Sequence, residues 1–313
     1  MNKLKKEQFN KATHFLKTQG NDIDRAMFEY FFEKKPLDGV VDILAKYQNK
    51  DGGFGRLDYD FECPDSCLKH TESACRYIFA LNEVPTEHPM IQRLVPYIIT
   101  NYNMTTGEWD NLVVPSVNEY PHAPWWHYSE QELFVPKNRD DLIRHYDPNT
   151  NSALAGMLVK YSSLVPKDLL DEIMGIVIEK INVGNDFGQY GMMSDIYFVN
   201  VLKDNVLKQE LLKTLMGNGK LISLLDDHWG TENAYKLCHW IDTPDHPYYE
   251  MYKEAVQSNF IFLVESQEQD GSWSPNWSWG EPEVWQRVVT RLKGVLTFKF
   301  LWTLKKFNYI EGL

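Results

Sequence analysis

The chain has 313 residues, 43% of them hydrophobic, which is ample for a large core, and a formal net charge of -12 with a pI near 5.2. An acidic chain without a Lys/Arg block is a poor partner for nucleic acid, because phosphate contacts need a basic face. No apolar run approaches the ~20 residues of a spanning helix, and Met1 to Lys6 is followed by no apolar leader core, so a cytoplasmic protein without membrane span is expected.

In chain order, Phe9, Ala12, Phe15 and Leu16 have helical spacing within Glu7–Thr18. Gly20-Asn21-Asp22 stops that helix, and Asp22 can N-cap a second over Ile23–Glu33. Pro36 opens a third that ends at Gln48. There the chain reads Gln48-Asn49-Lys50-Asp51-Gly52-Gly53-Phe54, and near the other end Gln267-Glu268-Gln269-Asp270-Gly271-Ser272-Trp273. Both follow apolar helical segments. Asp-Gly is a turn dipeptide, and the Gln amide can tie helix-end carbonyls to the turn. Asn103-Met104-Thr105-Thr106-Gly107-Glu108-Trp109 keeps the Gly and the aromatic, and reads either as a third, decayed copy or as an ordinary turn before a buried Trp.

A helix from His70 and another over His88–Tyr102 follow the first copy. His70-Thr71-Glu72-Ser73-Ala74, Thr150-Asn151-Ser152-Ala153 and Thr231-Glu232-Asn233-Ala234 begin alike, with Thr as the expected cap and small residues for close packing. Helices starting there, and near Met192 and Val284, read as one set. More charged helices near Lys167–Ile181, Val206–Met216 and Tyr248–Glu265 read as a second set with one wet side. The total is about eleven or twelve helices, with Leu112-Val113-Val114 the one short strand candidate. Trp109–Asp147, rich in Pro and aromatics, reads as a long folded loop over one mouth of the fold.

The Gln-x-x-Asp-Gly-[Gly/Ser]-aromatic copies resemble the QW-type repeats of squalene-type terpenoid cyclases and the repeats of protein prenyltransferase β subunits. That resemblance implies an all-α fold, a single α/α toroid over residues 1–313, with inner helices around a central cavity. It implies an isoprenoid-like apolar ligand among aromatic walls. It also points to Asp58-Tyr59-Asp60, which matches two acids of the cyclases' protonating Asp-x-Asp-Asp motif, with Phe61 where the last Asp would stand.

From the residues themselves, Asp58 and Asp60 read as an acid pair or as a solvated acidic turn. His70, Glu72 and Glu232, with Asn151, Asp195, His239 and Asp242, fall at starts of the first helix set, where they would face one mouth of a cavity. In Tyr120-Pro121-His122-Ala123-Pro124-Trp125-Trp126-His127-Tyr128, paired Trp and His read as a ligand wall with acid–base groups or as a loop anchor. Trp279, with Trp273, Trp277 and Trp285, forms a second ring cluster, beside which Arg287 and Arg291 could clamp an anion or pair with Glu281 and Glu283. Cys63-x3-Cys67-x2-His70, near Asp65, has zinc-ligand residue types that Cys238-His239 could complete, but no standard fourth ligand spacing; no metal and no cofactor are expected. The expected partner is a small molecule, isoprenoid-like or a saccharide. The chemistry is then cyclase- or transferase-like, or that of a polysaccharide lyase or hydrolase, with a non-catalytic scaffold the remaining reading. His122, Trp125, Trp126 or His127 should approach His70, Glu72 or Glu232.

Overall fold

The computed structural model describes residues 3–81, 83–130, 133–184, 188–203, 205–217, 240–277, 279 and 283–313. Within them the protein is all-helical, with twelve α-helices and isolated bridges but no strand. Leu112-Val113-Val114 is a loop that bends at Leu112 and Val113, its Leu112 carbonyl accepting from the Lys69 N–H. No helix among the described residues is long and apolar enough to cross a membrane.

The chain divides into two compact units, one formed by residues 1–43 with 220–313, the other by 44–219. The first contains α1 (Lys6–Thr18), α2 (Asp22–Glu33), α11 (Tyr249–Glu265) and α12 (Glu283–Lys306). Its helices α1, α2 and α12 pack together, and Phe28 stacks on Phe32 while Phe31 lies on Trp302. The N-cap of α2 is Asn21, not Asp22: the Asn21 side chain accepts from the Asp24 N–H, so Asp22 is already inside the first turn.

α3 (Leu37–Ala45) leads into the second unit, which holds α4 (Leu68–Leu81), α5 (Pro89–Thr100), α6 (Arg139–His145), α7 (Pro148–Lys160), α8 (Lys167–Val183), α9 (Gly188–Val201) and α10 (Val206–Gly217). α7 packs on α9 and α4, and also on α5 and α8. Gly156 permits the close approach of α9, since a Cβ there would lie 3.0 Å from the Phe198 Cα. α6 is a helix inside the stretch that the sequence reads as loop; Asn138 caps it by accepting from the Asp141 N–H.

The Gln turns have the same geometry in both units. Gln48 Nε2 donates to the Gly52 carbonyl at 2.9 Å and to the Met90 carbonyl at 3.0 Å. Gln267 Nε2 donates to the Gly271 carbonyl at 2.9 Å and to the Gln8 carbonyl at 3.0 Å. The amide therefore ties the turn to the first turn of another helix, rather than to the end of the helix it follows. Asp51 and Asp270 each accept from the backbone N–H two residues on. Phe54 and Trp273 each donate their backbone N–H to a Thr of the next helix in their unit, Thr71 in α4 and Thr297 in α12.

The third stretch shares this pattern with one residue inserted. Asn103 N–H bonds to the Glu108 carbonyl, Gly107 N–H bonds back to the Asn103 carbonyl, and Gly107 has φ 75°. Trp109 donates its backbone N–H to Asn151 of α7 and its indole to Ile98 at 2.8 Å, as the Trp273 indole does to Leu263 at 2.7 Å. In place of the Gln and Asp ties, Asn103 accepts from the Thr105 N–H and, with Thr106, donates to Asp110, while the backbone turn and the aromatic anchor persist.

Truncating either Gln leaves the Gly52 or Gly271 turn carbonyl without its side-chain donor and unties the turn from the helix beside it. Gln48→Ala and Gln267→Ala should each cost about 1–3 kcal/mol in denaturant melts. No loss in either variant would refute the bridging role.

Thr does not cap the shared helix starts. Thr71 sits inside α4, donating to the Cys67 carbonyl while it accepts from Phe54. Thr150 sits at φ 71°, and Asp147 provides the cap of α7. A β-branched residue with positive φ is strained, and the turn is held from both sides, by Ser194 Oγ accepting the Thr150 N–H and by Asp147 accepting the Asn149 N–H. Thr231 lies outside the described residues.

Candidate functional site

In the second unit, the turn after Phe54 brings Asp58 back onto α4. Asp58 is buried, so it is not a solvated acidic turn. One of its oxygens accepts from the Asp60 N–H at 2.9 Å and the other from Ser73 Oγ at 2.8 Å. Burial alone would push the Asp58 pKa up, but the Lys69 charge and the Asp60 N–H outweigh it and hold it below the usual value. Asp58 is therefore an ionised acceptor at neutral pH, with no proton to donate.

His70 is committed to backbone on both ring nitrogens. Nδ1 lies 2.9 Å from the Asp58 N and 3.3 Å from the Leu57 N, and Nε2 lies 3.0 Å from the Cys63 carbonyl. N–H groups only donate and a carbonyl only accepts, so the Nε2–H tautomer is fixed and His70 shapes the 57–63 turn. Cys63 and Cys67 belong to an apolar cluster with Phe61 and Val117. Burial pushes the Cys67 thiol up to about 12. Both features are those of core thiols, and among the described residues no group of three His, Cys, Asp or Glu is placed to hold a metal ion; Cys238 and His239 lie outside them.

Glu72 is fully buried in α4 and joins two cations of the same helix, Lys69 at 2.9 Å and Arg76. Burial would raise its pKa, and Arg76 and then Lys69 overcome this, leaving it lowered. The i, i+3 and i, i+4 spacings put all three groups on one face.

The aromatic loop crosses directly over this region. Ala123 N–H bonds to the Asp60 carbonyl at 2.7 Å, and Glu62 N–H bonds to the Pro121 carbonyl at 3.0 Å. The indoles of Trp125 and Trp126 donate to the same Asp60 oxygen, at 3.1 and 3.0 Å. Trp126 also meets Phe61, whose ring lies 4.1 Å from that of His70, and the Lys69 ammonium lies 5.4 Å from the Trp126 ring centre. The loop thus reaches the start of α4 through Asp60, Phe61 and Lys69, with Phe61 interposed between Trp126 and His70. Trp125 remains 55% exposed beside it.

His122 and His127 form a hydrogen-bonded pair, Nε2 to Nδ1 at 3.0 Å, and His122 Nδ1 lies 2.7 Å from the Tyr120 carbonyl. The carbonyl requires a proton on His122 Nδ1, so the neutral pair has His127 Nδ1–H donating to His122 Nε2. His127 Nε2 then carries a lone pair, with no protein partner among the described residues, at the exposed end of the pair. That is the arrangement of a base oriented by a second group.

The chain matches no protein-family model, and no curated protein matches it at a meaningful level.

The remaining sequence candidates divide by location. Trp279 lies in the first unit, stacked on Trp285 with ring centres 5.2 Å apart. Asp242 is also there, paired with Lys306. Asn151 and Asp195 are buried in the second unit, Asp195 accepting from Ser152 at 2.7 Å. Glu232, Cys238, His239 and Glu281 lie outside the described residues, as do the side chains of Glu283 and Arg287.

Sequence reasoning passed over Lys69 and Glu108. The Lys69-x-x-Glu72-x-x-x-Arg76 spacing was the available signal for the first. Glu108 had none, being one acid in a decayed turn. Burial raises the Glu108 carboxyl to about 8; the Asp147 N–H at 3.0 Å opposes this, while Asp110 and Asp147 add to it. A carboxyl raised in the fold binds more protons folded than unfolded across the window between the two values. Stability should therefore fall as pH rises from 4.5 to about 8, and level off above. Glu108→Gln should flatten that slope in melts at pH 5 and 8.5; an unchanged slope would show that Glu108 titrates normally.

Proposed function

We propose that the second unit is an acid–base site for a saccharide-like ligand, built on an α/α toroid of the terpenoid cyclase and prenyltransferase β-subunit kind. The toroid reading rests on the repeated Gln turn and its third copy, which lacks the Gln and the Asp. The observation that carries the ligand reading is the double indole clamp on Asp60, which ties down the same short loop that carries the His122–His127 pair. Ring faces stack on the C–H face of a sugar, and an oriented imidazole moves its hydroxyl protons.

Two features weigh against the isoprenoid alternative at this place. Asp58 is held ionised and cannot start a cyclisation by protonating an alkene. Trp126 already lies against the Lys69 ammonium, so its π system is a poor stabiliser for a second positive charge. The cyclase-like ligand would need another wall.

A panel of neutral and acidic oligosaccharides, with farnesol and farnesyl diphosphate beside them, tests the reading. Trp125→Ala should weaken binding of the active saccharide about tenfold, and His127→Gln should lower turnover by about 10²–10⁴ with binding retained. Turnover of a prenyl compound, or saccharide binding indifferent to Trp125→Ala, would refute it.

A further inference from the structure

The first unit carries its own cavity, open to solvent and about 820 Å³ in volume, within the range that takes a small organic ligand. It is walled by Phe15 of α1 and by Trp277, Trp279 and Trp285. Trp279 is 7% exposed and supports Trp285 by parallel stacking, while Trp277 meets Trp279 edge-on at 6.0 Å. Trp277 and Trp285, both half-buried, are the rings presented to the opening.

Around these rings stand hydrogen-bonding groups without protein partners among the described residues. They are the indole N–H of Trp277 and of Trp285, the exposed amides of Gln19 and Gln286, and the exposed ring of His14. A half-buried indole N–H ordinarily finds an acceptor. Among the described residues, the charges at the cavity, by contrast, are already matched. Lys293 lies 2.6 Å from Glu268 and 3.9 Å from Asp270. Asp270 is further held by Ser272; burial alone would raise its pKa, but the Ser272 bonds and Lys293 hold it low.

We infer that this cavity binds an uncharged, hydroxyl-bearing ring compound, by its chemistry a mono- or disaccharide, independently of the site in the second unit. An anion or a cation would have to compete with the Lys293 pairs. A wholly apolar chain would strip water from the indoles and amides and return no hydrogen bond. A sugar ring supplies a flat C–H face for Trp285 and Trp277, and hydroxyls for Gln19, Gln286 and His14. The inference stands on these groups alone and does not use the Asp60 clamp.

Calorimetric titration of the full-length chain with cellobiose, maltose and N,N′-diacetylchitobiose tests it, with farnesol and choline as controls. At least one disaccharide should bind. Its affinity should fall about tenfold or more in Gln19→Ala/Gln286→Ala, a surface double variant that leaves the wall intact, and also in Trp285→Phe. It should be unchanged in Trp125→Ala. No heat with any disaccharide would overturn the inference, as would farnesol or choline binding that depends on Gln19, Gln286 or Trp285. Heat lost in Trp125→Ala but kept in the double variant would overturn it too, while leaving the reading of the second unit standing.

Discussion

Glu72→Gln should destabilise the protein by about 3–5 kcal/mol, the usual consequence of removing one partner from a buried ion pair. Glu72 is fully buried, Lys69 is nearly so at 8% exposure, and Arg76 is half-buried at 26%. Without the carboxylate, two cations three and four residues away face each other across a vacated site. For a unit of this size the melting temperature should drop by roughly 6–20 °C. Removing one cation as well should recover part of the loss, so a double-variant cycle with Arg76→Gln should show strong coupling. The pH dependence has a defined sign. Glu72 and Asp58 both have lowered values in the fold, so their contribution is present above the unfolded values of 4.5 and 3.8 and is lost as pH falls through the folded ones. Glu72→Gln should therefore be less acid-sensitive than the parent chain, although less stable at neutral pH. A Glu72→Gln melt within a degree or two of the parent would mean that the triad is open to water.

The second large effect is expected at the Gln turns. Gly271 has φ 90°, and a Cβ there would lie 2.3 Å from the Lys11 carbonyl carbon and 2.5 Å from the Ala12 nitrogen. Gly52 has φ 97°, and its Cβ would lie 2.2 Å from the Arg93 carbonyl oxygen. In both units the obstacle is helix backbone, of α1 and α5 respectively, which cannot swing aside as a side chain does. Gly271→Ala and Gly52→Ala should each cost about 2–6 kcal/mol, the sum of positive-φ strain and forced overpacking. Gly184 is the internal control. It has φ 97°, and no described residue lies within 4 Å of where its Cβ would be, so Gly184→Ala should cost only the strain, about 1–3 kcal/mol. Equal melts for all three variants would contradict the close seating of the turns.

The helices and the Gln turns were legible because both are local. Apolar spacing reports the face that a helix buries, and Gly after Asp reports a turn whatever lies around it. The third turn was readable as an alternative for the same reason: Gly107 and Trp109 remain where the backbone needs them. Local rules failed where a side chain had two uses within reach. Thr71 and Thr150 looked like caps, but one was taken by the Phe54 N–H and the other was turned out of the helix at φ 71°.

What the sequence alone determined is therefore an all-helical chain with a repeated turn, because hydrogen bonds within helices and turns close over a few residues. Only the tertiary structure decided what the polar residues do, since their partners are remote. Asp60 meets the Trp125 and Trp126 indoles across 65 and 66 residues, and His14 shares a cavity with Trp285 from the opposite end of the chain. It also decided that Asp58 stays ionised and Glu108 is held protonated into the neutral range. The two carboxyls look alike in sequence, and whether nearby cations outweigh burial, as at Asp58, or burial and neighbouring acids prevail, as at Glu108, is an outcome of packing.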